Sequence, residues 1–432
     1  MVRAAWPARR GDRWPPAQPG PGVSAADVAG VPSVRSEVGR LREVVLHRPG
    51  EELRRVTPDT MDELLFDELL WVEAAQREHD AFAQVLTGAG VRVRYVQELL
   101  ADVVADPTQA RAVVERHVTD TTCGPQAVEQ VRELLLSGPA DELAAHLVGG
   151  VTLEEVGDDV DGLVAAASDP TELLLAPLPN LVFTRDSSAW IGEGVVLSPM
   201  NRTVRRRETD LLRTIYTEHP DFADAPIWFG DQPDDRFPAT FEGGDLLVVG
   251  ERGLAIGLSE RTTPAGVETL AARLFADGVV DRILAVDLPK VRSAMHLDTV
   301  VTQVDVDAFI TYPSMTASVR CFRLTPRTGG GVAVVEDGPL VRGLAWAAGL
   351  DHARAIEPSL GSTIHAAREQ WNDANNTFAI GPGEVVAYER NAATNEILES
   401  AGVIVHTIPS YELPRGRGGP RCMSCPTRRD PV

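Results

Sequence analysis

Phe241-Glu242-Gly243-Gly244-Asp245-Leu246-Leu247-Val248-Val249 is a polar, glycine-bearing cluster that opens straight into an apolar strand. The same unit recurs along the C-terminal part of the chain. Asn180-Leu181-Val182-Phe183-Thr184-Arg185-Asp186 leads to a strand near 188–197. His296-Leu297-Asp298-Thr299 leads to Val300-Val301-Thr302-Gln303-Val304, and Asn375-Asn376-Thr377 leads to Phe378-Ala379-Ile380. Cys422 stands last in the series. From Asp186 through Asp245, Asp298 and Asn376 to Cys422 the steps are 59, 53, 78 and 46 residues, irregular but the size of a supersecondary module. Repeated modules imply a pseudo-symmetric array. If each places its polar cluster at the same strand end, the clusters converge on one axis, as in a closed propeller with its site at the centre.

Before this region, Leu41–His47 reads as a strand ended by the Pro49-Gly50 turn, and Val91–Val96 alternates as a second strand. Between them, residues 62–90 repeat Leu64, Leu65, Leu69, Leu70, Val72 and Ala75 at helical spacing. Residues 98–169 hold 15 acidic side chains and three arginines, with Val128, Val131, Leu134 and Leu135 at helical intervals, and read as a helical insertion. Residues 1–33, rich in Pro, Gly, Arg and Ala and without a period, are expected to be a disordered tail, leaving 34–432 as the folded domain.

Composition excludes several classes. The formal net charge of −22 argues against nucleic acid and is compatible with steering a small cation. No apolar run approaches the ~18 residues of a membrane helix, and the N-terminus has no apolar core of a secretory signal, so a cytoplasmic protein is expected. Four cysteines in 432 residues make no disulfide framework. One Cys-x-x-Cys pair, Cys422 and Cys425, lacks the second ligand pair of a structural zinc site.

The chemistry concentrates at the clusters. Cys422 follows Gly418-Gly419-Pro420 and is flanked by Arg417 and Arg421, whose charge favours the thiolate nucleophile. His296, next to Asp298, suits a Cys-His pair, the alternative being a structural histidine; Glu242 either orients it or, with Asp245, is a solvated acid of a tight Gly-Gly turn. Asp186 and Asp298 stand beside apolar strands, where a carboxylate needs a cation or several hydrogen bonds. That cation is Arg185, Arg261 or a guanidinium substrate, whose planar fork fits paired carboxylates; the alternative is that each aspartate caps a turn. Arg205, Arg261 and Arg417 lie near turns and suit an α-carboxylate. Phe183 is placed either to stack on a guanidinium or to fill the core. Cys425 is a resolving thiol or a bystander.

Taken in order, these residues resemble bacterial arginine deiminases, members of the guanidino-group-modifying superfamily. The resemblance runs from about Ser36 to Asp430 through Glu37-Val38-Gly39-Arg40-Leu41, Glu63-Leu64-Leu65-Phe66-Asp67, Phe183-Thr184-Arg185-Asp186, Glu242-Gly243-Gly244-Asp245, Met295-His296-Leu297-Asp298-Thr299 and Arg421-Cys422-Met423-Ser424. It implies an α/β, five-bladed pseudo-symmetric propeller, the pentein fold, with an inserted helical bundle at 98–169. It implies hydrolysis of L-arginine to L-citrulline and ammonia through a cysteine S-alkylthiouronium intermediate, without metal or organic cofactor. Cys422 matches the nucleophile, His296 the general acid/base and Glu242 its support. Asp186 and Asp298 match the guanidinium grip; Asn180, Phe183, Arg205, Arg261 and Arg417 match positions that hold the rest of the substrate. The chain departs from the family at Asn201-Arg202-Thr203-Val204-Arg205-Arg206-Arg207, which leaves Arg205 or Arg206 as the contact. A homo-oligomer with no membrane and no nucleic-acid partner is expected.

Three rivals share part of this pattern. An agmatine deiminase or an amidinotransferase would use the same core, but agmatine gives the three arginines no carboxylate. A silent arginine sensor would not need every core residue. A Cys-x-x-Cys redox or metal protein leaves Asp186, Glu242 and His296 unexplained.

Overall fold

The structure, a computed structural model, describes residues 31–432 except 158, 159, 161, 232–236 and 359–361. The chain is α/β. Its strands, numbered in chain order, are β1 (Leu41–Leu46), β2 (Arg92–Tyr95), β3 (Val151–Thr152), β4 (Leu173–Leu175), β5 (Ser188–Ile191), β6 (Gly194–Leu197), β7 (Ile227–Phe229), β8 (Leu246–Gly250), β9 (Gly253–Leu258), β10 (Arg282–Asp287), β11 (Val301–Asp305), β12 (Ala308–Thr311), β13 (Arg320–Pro326), β14 (Val332–Glu336), β15 (Arg354–Ile356), β16 (Phe378–Gly381), β17 (Glu384–Tyr388), β18 (Ile404–Ile408) and β19 (Cys425–Arg429).

Five sheets share one pairing pattern: a central strand antiparallel to one neighbour and parallel to the other. The triplets are β5-β6-β7, β8-β9-β10, β11-β12-β15, β16-β17-β18 and β19-β1-β2. The sheet of β8–β10 adds β13 and β14 on its outer edge, and β3 pairs only with β4. Parallel pairing forces a crossover, and helices such as Arg206–Glu218, Pro264–Ala276 and Ala392–Ser400 supply it. The first strand of each triplet is buried throughout or nearly so, and Leu246–Val249 of β8 is wholly apolar.

In each triplet the polar cluster lies in a short turn just before the first strand. Asp186 sits in Thr184–Ser187, Asp245 in Gly243–Asp245 and Asp298 in Leu297–Thr299. Asn376 precedes β16, and Cys422 precedes β19. The Gly243–Asp245 turn touches both Thr184–Ser187 and Leu297–Thr299; β11 lies against β16, β16 against β1, and β19 against β5.

The two glycines of the 241–249 stretch are required by this crowding. A Cβ on Gly243 would stand 2.1 Å from the Arg185 carbonyl oxygen, and one on Gly244 would stand 2.6 Å from His296 Nδ1 and 2.8 Å from Asp186 Oδ1. Asp245 is not a solvated turn acid. It accepts from Ser259 Oγ at 2.6 Å and from the Leu297 backbone N–H at 2.8 Å, tying one turn to the next.

The expected helix over 62–90 begins only at Val72 and runs to Gly88. Residues 57–71 are turns instead, with Leu65 in the left-handed region at φ 64°. Leu64, Phe66 and Val72 form a small apolar cluster of their own with Leu53 and Val56, so their helix-like spacing serves a folded-back loop. Over 98–169 helices run from Val96–Val104 through Pro107–His117, Val128–Ser137 and Ala140–Gly149 to Leu163–Ala167. Their apolar faces join one buried cluster with Trp190, Ile191 and Val195 of the β5-β6-β7 sheet. Of the expected tail, residues 1–30 lie outside the described residues. Ser33 is held: its N–H donates to Thr427 O, and its carbonyl accepts from the Arg429 N–H, both at 2.8 Å. Among the described residues no helix is long and apolar enough to cross a membrane.

Candidate active site

Cys422, His296 and Asp186 meet at a small cavity where the polar turns converge. Its volume of about 20 Å³ is room for one water. Asn180, Phe183, Arg205, Arg261 and Arg417 line it as well, so eight of the ten candidate residues share one wall. Glu242 and Asp298 are fully buried behind that wall.

Cys422 is held by backbone on both sides. Its N–H donates to Asn376 Oδ1 at 3.0 Å, and its carbonyl accepts from the Arg185 N–H at 3.1 Å. Gly419 permits this approach, because a Cβ there would stand 2.6 Å from Asn376 Oδ1. The thiol lies 3.8 Å from Asp298 Oδ2. Burial, then the charges of Asp298, Asp186 and Asp373, push its pKa well above the usual thiol value. The flanking arginines expected to activate it point elsewhere. Arg421 spends its charge on Glu37 and Asp298, and Arg417 stacks 3.6 Å over the Trp371 ring.

His296 lies between two carboxylates. Nε2 is 2.9 Å from Glu242 Oε2, and Nδ1 is 3.6 Å from Asp186 Oδ1. Burial works against its charge, but the Asp186 field, the Glu242 hydrogen bond and Asp245 outweigh it and raise the pKa to about 9. Glu242 is lowered to about 2: burial opposes ionisation, and Arg261, His296 and Arg205 override it. At neutral pH the site therefore holds an imidazolium, ionised Glu242 and a neutral thiol.

This sets a pH dependence of stability. His296 gains affinity for its proton on folding, so its contribution is complete below the unfolded pKa near 6.5 and is lost as pH rises through about 9. A shift of that size corresponds to about 3 kcal/mol. Thermal unfolding from pH 6.5 to 10 is expected to show a steady fall in Tm, and His296→Gln should flatten it; an unchanged slope in that variant would count against the imidazolium.

The aspartates find cations other than those expected. Asp186 pairs not with Arg185 or Arg261 but with Arg205 Nη1 at 2.7 Å. Asp298 pairs with Arg421 Nη1, also at 2.7 Å. Of the two, only Asp186 lines the cavity, and its Oδ1 has no hydrogen-bond partner. Arg205 also donates from Nε to Glu208 Oε1 at 3.0 Å and from Nη2 to Glu208 Oε2 at 2.8 Å and the Asn180 carbonyl at 3.1 Å. It is thus largely committed to the protein. Arg206, the alternative contact, opens the helix Arg206–Glu218 and is not in the cavity wall. Arg261 Nη1 stands 3.9 Å from Glu242 Oε2. Phe183 lines the cavity with its ring against the chain at Gly418, where a Cβ would stand 2.2 Å from it.

Leu65, Arg292, Met295, Thr299 and Gly416 also line the cavity and were not singled out as site residues. Met295 and Thr299 lie inside the quoted Met295–Thr299 motif. Leu65 lies inside the quoted Glu63–Asp67 motif. Arg292 carries no such signal, because a long-range contact places it: its Nη2 donates to the Leu65 carbonyl at 3.3 Å across 227 residues.

Asp186, Glu242 and His296 each offer a ligand atom within 4.8 Å of the others. The charges there are already balanced, since Arg205 and Arg261 face the two carboxylates and the imidazole holds a proton. A divalent cation would have to displace that proton beside two guanidinium groups, so the donor set fits a metal poorly.

Cys425 does not join the cavity. Its sulfur is buried 3.6 Å from the Ser188 carbonyl oxygen and 4.0 Å from the Tyr216 hydroxyl.

Known proteins share this architecture. The amidinotransferase SxtG from Microseira wollei, of a saxitoxin biosynthetic pathway, is 14% identical over 93% of this chain and 98% of its own, with a TM-score of 0.55. The N-terminal domain of ArgZ, an arginine dihydrolase of cyanobacteria, is 14% identical over 90% of this chain and 97% of its own, with a TM-score of 0.51. At such identity the likeness is one of fold. A sequence profile of the arginine deiminase family matches residues 62–429, six-sevenths of the chain. With its polar turns gathered on one buried Cys-His-carboxylate cluster, the chain belongs to the arginine deiminase family.

Proposed function

We propose that this chain is an arginine deiminase, hydrolysing L-arginine to L-citrulline and ammonia. The observation that carries the reading is one cavity lined by a thiol, an imidazolium held by two carboxylates, and three buried arginines. A guanidinium substrate supplies the hydrogen-bond donor that Asp186 Oδ1 lacks, for that oxygen is buried in the cavity wall and has no hydrogen-bond partner. A carboxylate on the same substrate gives Arg261 and Arg417 a partner.

In this reading the arriving guanidinium lowers the thiol pKa that burial and the aspartates had raised, and Cys422 gives its proton to solvent water as substrate binds. The thiolate adds to the guanidinium carbon, and a tetrahedral adduct forms. His296, held at Nε2 by Glu242, gives its Nδ1 proton to the departing nitrogen, and ammonia leaves. The carbon–sulfur bond remains in an S-alkylthiouronium. His296, now neutral, takes a proton from water; the hydroxide adds to the carbon, the carbon–sulfur bond breaks, and the adduct's hydroxyl proton passes to the departing sulfur, releasing citrulline and the neutral thiol. Glu242 holds the imidazole throughout. Asp298 acts on the sulfur from behind, with the Arg421 cation limiting its repulsion. No metal or organic cofactor enters.

The fold proposed with this activity is a closed five-bladed propeller. Its support is the shared pairing of five sheets and the run of contacts from β19 round to β1. Residues 34–432 form the catalytic unit, 98–169 an inserted helical bundle, and 1–33 a tail dispensable for turnover. The active form is a cytoplasmic homo-oligomer. Entry of an amino acid needs the cavity walls to part. Leu65 and Arg417, both left-handed, are the lining residues whose backbones are least at ease.

Citrulline and ammonia assayed from L-arginine and agmatine, side by side with a chelator present, test the reading. Turnover of L-arginine alone supports it. Turnover of agmatine, read as ammonia and N-carbamoylputrescine, would remove the carboxylate clamp, and ammonia from neither substrate would sink the deiminase assignment in favour of amidino transfer or a silent sensor.

A further inference from the structure

Asp373 is a buried carboxylate that the proposed mechanism does not use. It lies in the turn after helix Thr363–Trp371, two residues beyond the Trp371 ring on which Arg417 stacks. Its side chain is 3% exposed, and Oδ2 has no hydrogen-bond partner. Its backbone is left-handed at φ 61°, which an L residue holds only at a cost. A buried, unpaired acid on strained backbone is poor structural filler, and such a group asks for a partner.

A complementary group is close by. Arg417 donates from Nη1 to the Trp371 carbonyl at 2.7 Å, while its Nε is buried and has no partner. Arg417 too is left-handed, at φ 66°. Two residues of opposite charge, each with one orphaned polar atom, thus flank Trp371. Arg417 is foremost among the charges that favour ionisation of Asp373; Arg292 and Arg390 add to it, and Asp298 opposes. Asp373 in turn acts on Cys422 and Tyr388.

We propose that Asp373 is a positioning residue for the substrate, its carboxylate receiving Arg417 Nε–H so that the terminal nitrogens of Arg417 face the α-carboxylate of L-arginine. The inference rests on the deiminase reading above and assigns Arg417 its orientation. No bond is made or broken, and Asp373 touches the substrate only through Arg417. Burial, against the pull of Arg417, raises its pKa to about 7, so the grip weakens as pH falls below neutrality.

Steady-state kinetics with L-arginine test this in the wild type, Asp373→Asn, Arg417→Lys and the double variant. Asp373→Asn is expected to raise KM about tenfold with kcat within about twofold. The same change in the Arg417→Lys background should add less than about twofold, since the pair acts as a unit. Wild-type KM should rise between pH 7.5 and 6, and Asp373→Asn should remove that rise; Asp245, also raised to about 7, would leave it in place. An equal effect of Asp373→Asn in both backgrounds, or a wild-type KM flat with pH, overturns the proposal while citrulline production leaves the deiminase reading standing. No citrulline from the wild type overturns both. Should Asp373→Asn not fold, Arg417→Lys decides: lacking Nε–H it should show a KM flat between pH 7.5 and 6, and a rise as large as the wild type's overturns the proposal.

Discussion

Cys422→Ala is expected to make no measurable citrulline from L-arginine, a loss of about 10⁴-fold or more. The size follows from what is left. Among the described residues Thr299 Oγ1 is the one hydroxyl lining the cavity, and it already donates to the His296 carbonyl at 2.7 Å. With no nucleophile to form a covalent intermediate, positioning alone must act on a very stable cation. Stability should change little, because the thiol makes only a long contact with Asp298, at 3.8 Å. Acid quench of the wild type during turnover, followed by mass analysis of the Cys422 peptide, should show the amidino adduct; the Cys425 peptide should stay unmodified. Cys425→Ala is expected to keep activity, since its sulfur faces Ser188 and Tyr216 outside the cavity. Equal loss in both variants would return the Cys-x-x-Cys redox reading.

The largest effect on stability is expected at Arg421. Its guanidinium is 1% exposed and binds Glu37 from Nε and Nη2 at 3.0 and 3.1 Å, Asp298 from Nη1 at 2.7 Å and the Leu246 carbonyl at 2.8 Å. Burial disfavours its charge, but Glu37 and Asp298 reverse that and raise its pKa. Arg421→Met leaves two buried carboxylates without their cation, a loss of about 3–5 kcal/mol. Denaturant unfolding measures it, and a change below about 1 kcal/mol would contradict the network. Glu37→Gln combined with Arg421→Met should recover part of the loss, because one uncompensated charge is then gone.

Much of the site was legible because its residues stand in short local motifs. The Glu-Gly-Gly-Asp stretch showed a turn, and the structure adds the reason for its glycines: His296 and the Arg185 carbonyl press against it. Cys422, His296 and Asp186 meet as the recurring turns implied. The helix over 62–90 failed in its first part, since apolar residues three and four apart look the same in a helix and in a loop folded over Phe66. The partners of the aspartates were misread for another reason. Arg421 reaches Glu37 across 384 residues, and nothing local marks one arginine among forty as the one that does so.

What the sequence by itself determined is the recurring unit, a polar cluster opening an apolar strand from Asp186 to Asn376, with Cys422 last in the series. These features depend on hydrophobic period and turn chemistry within a few residues, which the chain carries openly. Only the tertiary structure decided the electrostatics. It committed Arg205 to Asp186 and Glu208, placed Asp298 behind the thiol, and left Asp373 unpaired beside Arg417. Whether a charge is paired, and so which protons the site holds at neutral pH, depends on burial and distances of a few ångströms between turns far apart in the chain. Coulombic energy falls with separation in space and takes no account of separation in sequence.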